Sequence, residues 1–229
     1  MSKKILVIAA HPDDEVLGCG GTIARHDRLG DAVYCLILGE GATARDKYNG
    51  KRESDSAVRQ LKIQSEKAAQ ILGIKDVSFH SLPDNRFDTV PLLDIVKTVE
   101  KIIDKLKPET IYTHHGADLN IDHQITQRAV LTAARPLQSC PVKEIYAFEV
   151  PSSTEWSFEQ SERAFHPNVF VDIMETLETK VQAMQLYESE ARPFPHPRSP
   201  DAIRAIAYRW GSTVGLEAAE AFQLIRLIR

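Results

Sequence analysis

The run His11-Pro12-Asp13-Asp14-Glu15 carries one imidazole and three carboxylates in five consecutive residues. It directly follows the predicted strand Lys3–Ala10, in which the apolar run Ile5–Ala10 has the pattern of a buried strand. Ligands of open α/β sheets bind beyond the carboxyl ends of the strands, so these side chains stand where sites form. Clustered carboxylates are costly unless water or a cation neutralises them. A solvated helix start would explain Asp14 or Glu15, but it explains His11-Pro12 poorly.

A second polar run, Asp118-Leu119-Asn120-Ile121-Asp122-His123, follows the predicted strand 110–114 and opens a helix. Its Asn and Asp residues also suit a helix N-cap, and a lone histidine is more often a core residue. Considered together, however, the two runs give the sparse three-ligand pattern of a catalytic zinc, with an open position for water. The ligands would be His11, Asp14 and His123, a set that suits Zn²⁺ and is possible for Fe²⁺ or Mn²⁺.

The elements that must position these runs alternate between strand and helix. Apolar periodicity predicts strands at 3–10, 32–38, 77–82, 110–114, 144–150 and 169–173. Helices are predicted at 15–29, 52–72, 92–106, 122–135 and 174–188, and the chain ends on another helix after the proline-rich residues 193–200. The polar stretch 39–56 is a candidate substrate loop or lid. This order predicts an α/β fold, a Rossmann-like three-layer sandwich with a mostly parallel central sheet, as a single domain over 1–229.

The composition narrows the class of protein. The 229 residues carry a formal net charge of −4, which argues against a nucleic-acid-binding protein. The longest early apolar run is too short for a membrane span or a signal peptide, and we therefore expect a cytoplasmic protein. An odd number of cysteines without paired spacing fits reduced thiols and excludes a disulfide framework; they are Cys19, Cys35 and Cys140.

The chain resembles the PIG-L/LmbE-like zinc-dependent N-deacetylases over nearly its whole length. The specific match is Ala10–Glu15 directly after the first strand. Weaker matches follow in the family's order: Gly18–Thr22, Arg59, Glu66, Leu72-Gly73, Pro83-Asp84, Asp122-His123 and Ala219–Phe222. The resemblance implies a hydrolase that removes acetyl from an N-acetylglucosamine-like unit of a small molecule or glycoconjugate. It also implies a homo-oligomer.

The resemblance gives roles to individual residues. Asp13 would be the general base that takes a proton from the attacking water, and it would later pass that proton to the leaving amine. Asp122 would orient a histidine ligand, since such ligands usually need an outer acceptor. Glu15 would support the site or simply begin the helix. The metal ligands would be the residues that spacing already suggests, His11, Asp14 and His123.

The chain departs from the family at one position. Many members have His-Pro-Asp-His where this chain has Asn120-Ile121-Asp122-His123. The first histidine of that pattern serves as acid or oxyanion stabiliser, and an asparagine can donate a hydrogen bond but cannot carry positive charge. The role would then pass to His115, His114 or His196. The last of these lies in Phe194–Arg198, a rigid loop that would fold over the site or stay a plain surface loop.

Four residues are predicted to bind substrate. Arg59 matches a family position that faces the ligand, although an ion pair with Glu66 on the same helix is the alternative. Asp84 follows the third strand and would suit sugar hydroxyls, and the alternative is a turn residue beside proline. Asn120 and Arg198 complete this set.

Other functions fit the sequence less well. A dinucleotide loop fails because its last glycine would fall at Ile23, and Asp13 and Asp14 would repel a pyrophosphate. A receiver-like or Mg²⁺-dependent phosphoryl-transfer protein leaves His11 and His123 unexplained, since Mg²⁺ prefers oxygen ligands. A non-catalytic binding protein would not need the three ligands together with a base. Among enzymes, the alternative is an amidase that acts on a larger sugar–thiol conjugate.

Overall fold

The computed structural model describes residues 2–42, 51–158 and 162–229, and of residues 51–54 it gives only the backbone. The strands in these ranges are β1 (Lys4–Ala9), β2 (Ala32–Gly39), β3 (Asp76–Leu82), β4 (Thr110–His114), β5 (Glu144–Phe148), β6 (Val169–Asp172) and β7 (Ala219–Leu227). The α-helices are α1 (Asp14–Arg28), α2 (Lys51–Leu72), α3 (Leu92–Leu106), α4 (Ile121–Ala133), α5 (Leu177–Gln185) and α6 (Pro200–Val214). Short 3₁₀ helices span Phe87–Thr89 and Glu155–Ser157.

The seven strands form one sheet in the order β3-β2-β1-β4-β5-β7-β6. Pairing is parallel from β3 through β5, and β7 runs antiparallel to both of its neighbours. The strand order reverses at β1: the chain first adds β2 and β3 on one side of β1, and then adds β4 and β5 on the other side. This reversal opens a crevice at the carboxyl ends of β1 and β4. The mostly parallel α/β sandwich predicted from the sequence is confirmed; the single domain over 1–229 stays a prediction.

Apolar residues cover both faces of the sheet. Along β1, Ile5 and Val7 pack into one core cluster, and Leu6 and Ile8 pack into the other, because successive strand side chains point to opposite faces. Helices α1, α2 and α5 pack on the first face, and α3 and α4 on the second. The continuous apolar run of the first strand therefore indicates two-sided burial correctly.

Two features of the fold differ from the sequence expectations, and a third expectation falls partly outside the described residues. The chain ends on strand β7 rather than on a helix, because residues 219–227 find a place between β5 and β6. Helix α5 covers only Leu177–Gln185, less than the predicted 174–188. Of the predicted loop 39–56, residues 43–50 lie outside the described residues, and α2 already begins at Lys51.

Within the described ranges, none of the helices combines the length and apolar character that a bilayer crossing requires.

Helix α1 is interrupted at Cys19, whose φ of −148° and ψ of 23° are not helical. The carboxylate of Glu220 on β7 accepts hydrogen bonds from the backbone N–H groups of Gly21 (2.9 Å) and Thr22 (2.7 Å), which begin the second helical segment. A Cβ on Gly21 would come within 2.9 Å of Ile173, and one on Gly18 would overlap the Phe148 ring. The glycine-rich run therefore allows close packing and a helix break.

Lys180 neutralises Glu220 in the interior. Its Nζ lies 2.6 Å from Oε1 of Glu220 and 2.9 Å from the carbonyl oxygen of Leu17, and both charged residues are buried. We expect Lys180→Met to lower the free energy of unfolding by about 3–5 kcal/mol, because it leaves a buried carboxylate unpaired. Urea unfolding followed by circular dichroism measures this change.

The matched control removes an ion pair at the surface. Arg204 pairs with Glu178 at 2.7 Å, but the Glu178 side chain is 59% exposed. We expect Arg204→Met to cost less than about 1 kcal/mol, because water screens such pairs. An equal loss of stability in the two variants would contradict the role assigned to Lys180.

Candidate active site

The two polar runs meet at the carboxyl edge of the sheet. The first run continues directly from β1, and the second lies between β4 and α4. Strands β1 and β4 are parallel neighbours, with Ile5 paired to Thr110 and Val7 to Tyr112, so their ends lie side by side. A cavity of about 460 Å³ opens there and is lined by residues of both runs. This volume lies in the range of small-molecule sites.

His11, Asp14 and His123 all line this cavity and converge on one point. Oδ2 of Asp14 lies 3.4 Å from Nδ1 of His11 and 3.3 Å from Nε2 of His123. One donor atom from each residue lies within 4.8 Å of the other two, and all three residues are buried. The Asp14 carboxylate also accepts a hydrogen bond from the backbone N–H of His11 at 2.8 Å, which fixes its orientation.

Each histidine directs its other ring nitrogen at a second carboxylate. Nε2 of His11 lies 2.9 Å from Oδ2 of Asp122, and Nδ1 of His123 lies 3.2 Å from Oδ1 of Asp118. A carboxylate that hydrogen-bonds to the outer nitrogen, as Asp122 does for His11, holds the proton there and leaves the inner nitrogen as a lone-pair donor. This is the arrangement that ligand histidines need.

The carboxylate partners are themselves anchored. Asp122 accepts backbone N–H groups of Asn85 (2.7 Å) and Phe87 (3.0 Å), which lie beyond the end of β3. Asp118 accepts hydrogen bonds from the hydroxyls of Ser153 and Thr154, which follow β5. The loops after β3 and β5 therefore fix the two histidines that β1 and α4 supply.

The electrostatics at this point favour positive charge. Burial opposes protonation of His11, but Asp122 and Asp14 outweigh burial and raise its pKa to about 10. Burial also opposes the charge on His123, and Asp14 and Asp118 raise its pKa to about 9. Buried carboxylates that stabilise cations so strongly suit a divalent metal, and two imidazoles with one carboxylate suit zinc-like ions better than Mg²⁺. The residues present therefore fit a bound metal ion.

Asp13 lies beside this group in an unusual backbone conformation. Its φ of 105° is in the left-handed region, and Glu15 Oε2 accepts its backbone N–H at 3.1 Å. Glu15 is held in turn by the hydroxyl of Tyr187. The Asp13 side chain accepts a hydrogen bond from Nη1 of Arg198 at 2.6 Å. Burial raises the pKa of Asp13 well above its ordinary value, although Arg198 opposes this.

More than half of the chain matches a known protein family. The family model described as PIG-L, GlcNAc-PI de-N-acetylase, matches residues 6–134, which is more than half of the 229 residues. The chain belongs to the PIG-L deacetylase family. The matched span contains both polar runs, so the resemblance noted from the sequence is confirmed.

Two relatives and one solved structure illustrate what the chain is similar to. The chain is 29% identical over 193 residues to the uncharacterized deacetylase YaiS of Escherichia coli K12, which covers 82% of this chain and 91% of that protein. It is 24% identical over 228 residues to the diacetylchitobiose deacetylase of Thermococcus kodakarensis, covering 97% and 83% of the two chains. The structure of GalB, the 4-carboxy-2-hydroxymuconate hydratase of Pseudomonas putida KT2440, superposes with a TM-score of 0.79 at 22% identity, covering 99% and 98%. This last likeness concerns the fold alone.

Asn120 occupies the position where many PIG-L proteins have a histidine. The three histidines predicted to take over that role are not among the described residues that line the cavity. Nε2 of His114 accepts the backbone N–H of Ala10 at 2.8 Å, and burial together with His123 lowers its pKa to about 3. Nε2 of His115 lies 2.9 Å from the carbonyl oxygen of Arg163. His196 lies behind Trp156, with ring centroids 5.8 Å apart. The catalytic roles predicted for His115 and His196 stay predictions.

Three of the four predicted substrate residues line the cavity. They are Asp84, Asn120 and Arg198. Asn120 is also the N-cap of α4, since its Oδ1 accepts the backbone N–H of Asp122 at 2.9 Å. Arg59 is exposed on α2, where its Nε donates to the carbonyl oxygen of Asp55, and it is not among the described residues that line the cavity. Its predicted contact with substrate stays a prediction.

Sequence reasoning missed several residues of the site. Asp118 could have been found, because it is a second carboxylate in the same run as His123. Glu190 accepts from Nη1 of Arg198 at 3.0 Å, and Trp156 and Ser152 line the cavity. These residues come from the segments after β5 and α5, and no local pattern marks them as functional.

Proposed function

We propose that this protein is a metal-dependent hydrolase that removes the acetyl group from an N-acetylated amino sugar of a small molecule or glycoconjugate. The observation that carries the proposal is the convergence of His11, Asp14 and His123 beside the buried Asp13, within one open cavity. Membership of a family named for de-N-acetylation of GlcNAc-PI, and a relative named for diacetylchitobiose, support the sugar. The fold alone would not decide the reaction, since GalB is a hydratase.

The metal would be held by His11, Asp14 and His123, with Zn²⁺ as the first candidate and Fe²⁺ or Mn²⁺ as alternatives. A divalent ion supplies a Lewis acid that polarises a carbonyl oxygen and lowers the pKa of water. Asp122 would orient His11 through its hydrogen bond to Nε2, and Asp118 would stabilise His123 from 3.2 Å away. That support allows the ligands to be ready before substrate arrives.

Asp13 would act as the general base. As water attacks the acetamide carbonyl carbon, a carboxylate oxygen of Asp13 accepts the proton that the water gives up. When the C–N bond breaks, the same carboxyl group donates that proton to the leaving amine, and acetate is released. Arg198 holds Oδ2 of Asp13 and is itself held by Glu190 and by Oγ of Ser152, so the carboxylate has one orientation.

The remaining side chains of the cavity would bind the sugar. Asp84 is buried, lies 3.3 Å from Nε2 of His11 and faces the same cavity, where a carboxylate accepts sugar hydroxyls. Asn120 can donate a hydrogen bond from the position where many relatives have a histidine. The cytoplasmic location and the homo-oligomeric state stay predictions.

Substrate turnover tests the proposal. We expect the metal-loaded protein to release acetate and a free amine from N-acetylglucosamine or its glycosides, and to lose this activity reversibly with a chelator that removes zinc. Acetate and primary amine are quantified separately, so hydrolysis is distinguished from addition of water to a double bond. A protein that carries a transition metal but releases neither product from any N-acetyl hexosamine would disprove the proposal.

A further inference from the structure

Three large apolar side chains stand exposed at the mouth of the cavity. The exposed fractions are 41% for Trp156, 57% for Leu119 and 40% for Ile121, and all three line the same opening. Leu119 and Ile121 alternate with the polar residues of the run that supplies His123. Apolar side chains gathered at a binding cavity mark a place where a ligand buries apolar surface.

Trp156 is held in place rather than free to turn. It lies in the 3₁₀ helix Glu155–Ser157, and the His196 ring meets it edge-on, at an interplanar angle of 79°. The residues just before it, Ser153 and Thr154, donate their hydroxyls to Asp118. Because Asp118 also supports His123, the position of the indole is tied to the candidate metal ligands.

The inner part of the cavity has the opposite character. Asp84 and Glu190 are only 5% and 4% exposed and present carboxylates to the cavity, together with Asp13. Hydroxyl groups of a sugar can donate hydrogen bonds to these carboxylates, whereas the apolar side chains at the mouth provide no acceptor. The cavity is therefore divided into a polar inner part and an apolar outer part.

We propose that Trp156, Leu119 and Ile121 form a subsite for the group attached to the amino sugar, and that this group has an uncharged, apolar face. A second pyranose or an aryl ring meets this requirement. The inference rests on the proposed deacetylase function and adds the class of glycoside that it accepts. The indole ring of Trp156 packs well against a flat ring or against the C–H groups of a sugar. A charged group would lose its hydration among these apolar side chains, which costs free energy.

Equilibrium binding separates this subsite from catalysis. Metal-loaded Asp13→Asn protein, which should bind substrate without consuming it, is titrated calorimetrically with the methyl and the phenyl glycoside of N-acetylglucosamine. We expect the phenyl glycoside to bind about 3- to 10-fold more tightly, as an aromatic contact would provide. Adding Trp156→Ala should bring this ratio close to one, and Trp156→Phe should largely keep it.

Phe158 provides the matched control. It is 79% exposed two residues further along the same segment, but it is not among the described residues that line the cavity. We expect Phe158→Ala to leave the phenyl-to-methyl ratio unchanged. In the otherwise wild-type protein, Trp156→Ala should raise KM for the phenyl glycoside by a larger factor than KM for the methyl glycoside.

The outcomes separate the subsite from the reaction. Acetate release with equal affinity for the two glycosides would overturn the subsite and leave the proposed function intact. A Trp156-dependent phenyl preference without acetate release would support the subsite and overturn the reaction. Binding of neither glycoside, or an equal effect of Trp156→Ala and Phe158→Ala on the ratio, would overturn the inference.

Discussion

We expect the His123→Ala variant to be purified without its metal and without activity. Wild-type protein should carry about one zinc, iron or manganese ion per chain, because two imidazoles and a carboxylate form a three-ligand site of catalytic type. His123 contributes Nε2, 3.3 Å from Oδ2 of Asp14, and its loss leaves only two ligands. Elemental analysis of both proteins, without metal added during purification, measures the change directly.

His115→Ala is the control for this experiment. His115 is also a buried histidine at the end of β4, but it contacts Arg163 and does not line the cavity. We expect it to keep its metal, and retained activity would also remove His115 from the candidate catalytic residues. Metal retained in His123→Ala would mean that the ligand set is wrong. Absence of any transition metal from the wild type, even after zinc is added back, would favour the Mg²⁺ alternative.

The Asp13→Asn variant should keep its metal but lose about 10²- to 10⁴-fold in kcat, the range that a general base contributes. The amide has nearly the shape of the carboxylate and can still accept a hydrogen bond from Arg198, but it cannot take a proton. Asparagine also tolerates the left-handed φ of 105°, whereas alanine would add backbone strain to the measured effect. Steady-state kinetics and metal content are measured on the same preparation.

Asp84→Asn is the matched control for Asp13→Asn. Both residues are buried aspartates that line the cavity. If Asp84 binds the sugar, its variant should mainly raise KM, while the Asp13 variant lowers kcat. Near-normal turnover of Asp13→Asn would refute the assignment of Asp13 as the base.

The sequence by itself determined the fold class and the edge of the sheet where the site forms. The apolar run of β1 and the alternation of strand and helix are local patterns, and they require helices on both faces of a parallel sheet. His11, Asp14 and His123 could be named because each directly follows or begins such an element. The strand order, which makes β1 and β4 neighbours and so brings the two runs together, is known only from the structure.

The tertiary structure decided which side chains face the cavity and what holds them. Strand β7 was not predicted, because its place between β5 and β6 depends on pairing with strands that are distant in sequence. His114 and His115 are consecutive, but Ala10 and Arg163 turn both rings away, and neither partner is near them in sequence. Arg198 reaches Asp13 across 185 residues. Spacing predicts which residues a strand end delivers, whereas the orientation of each ring and guanidinium depends on hydrogen bonds that exist only after the chain has folded.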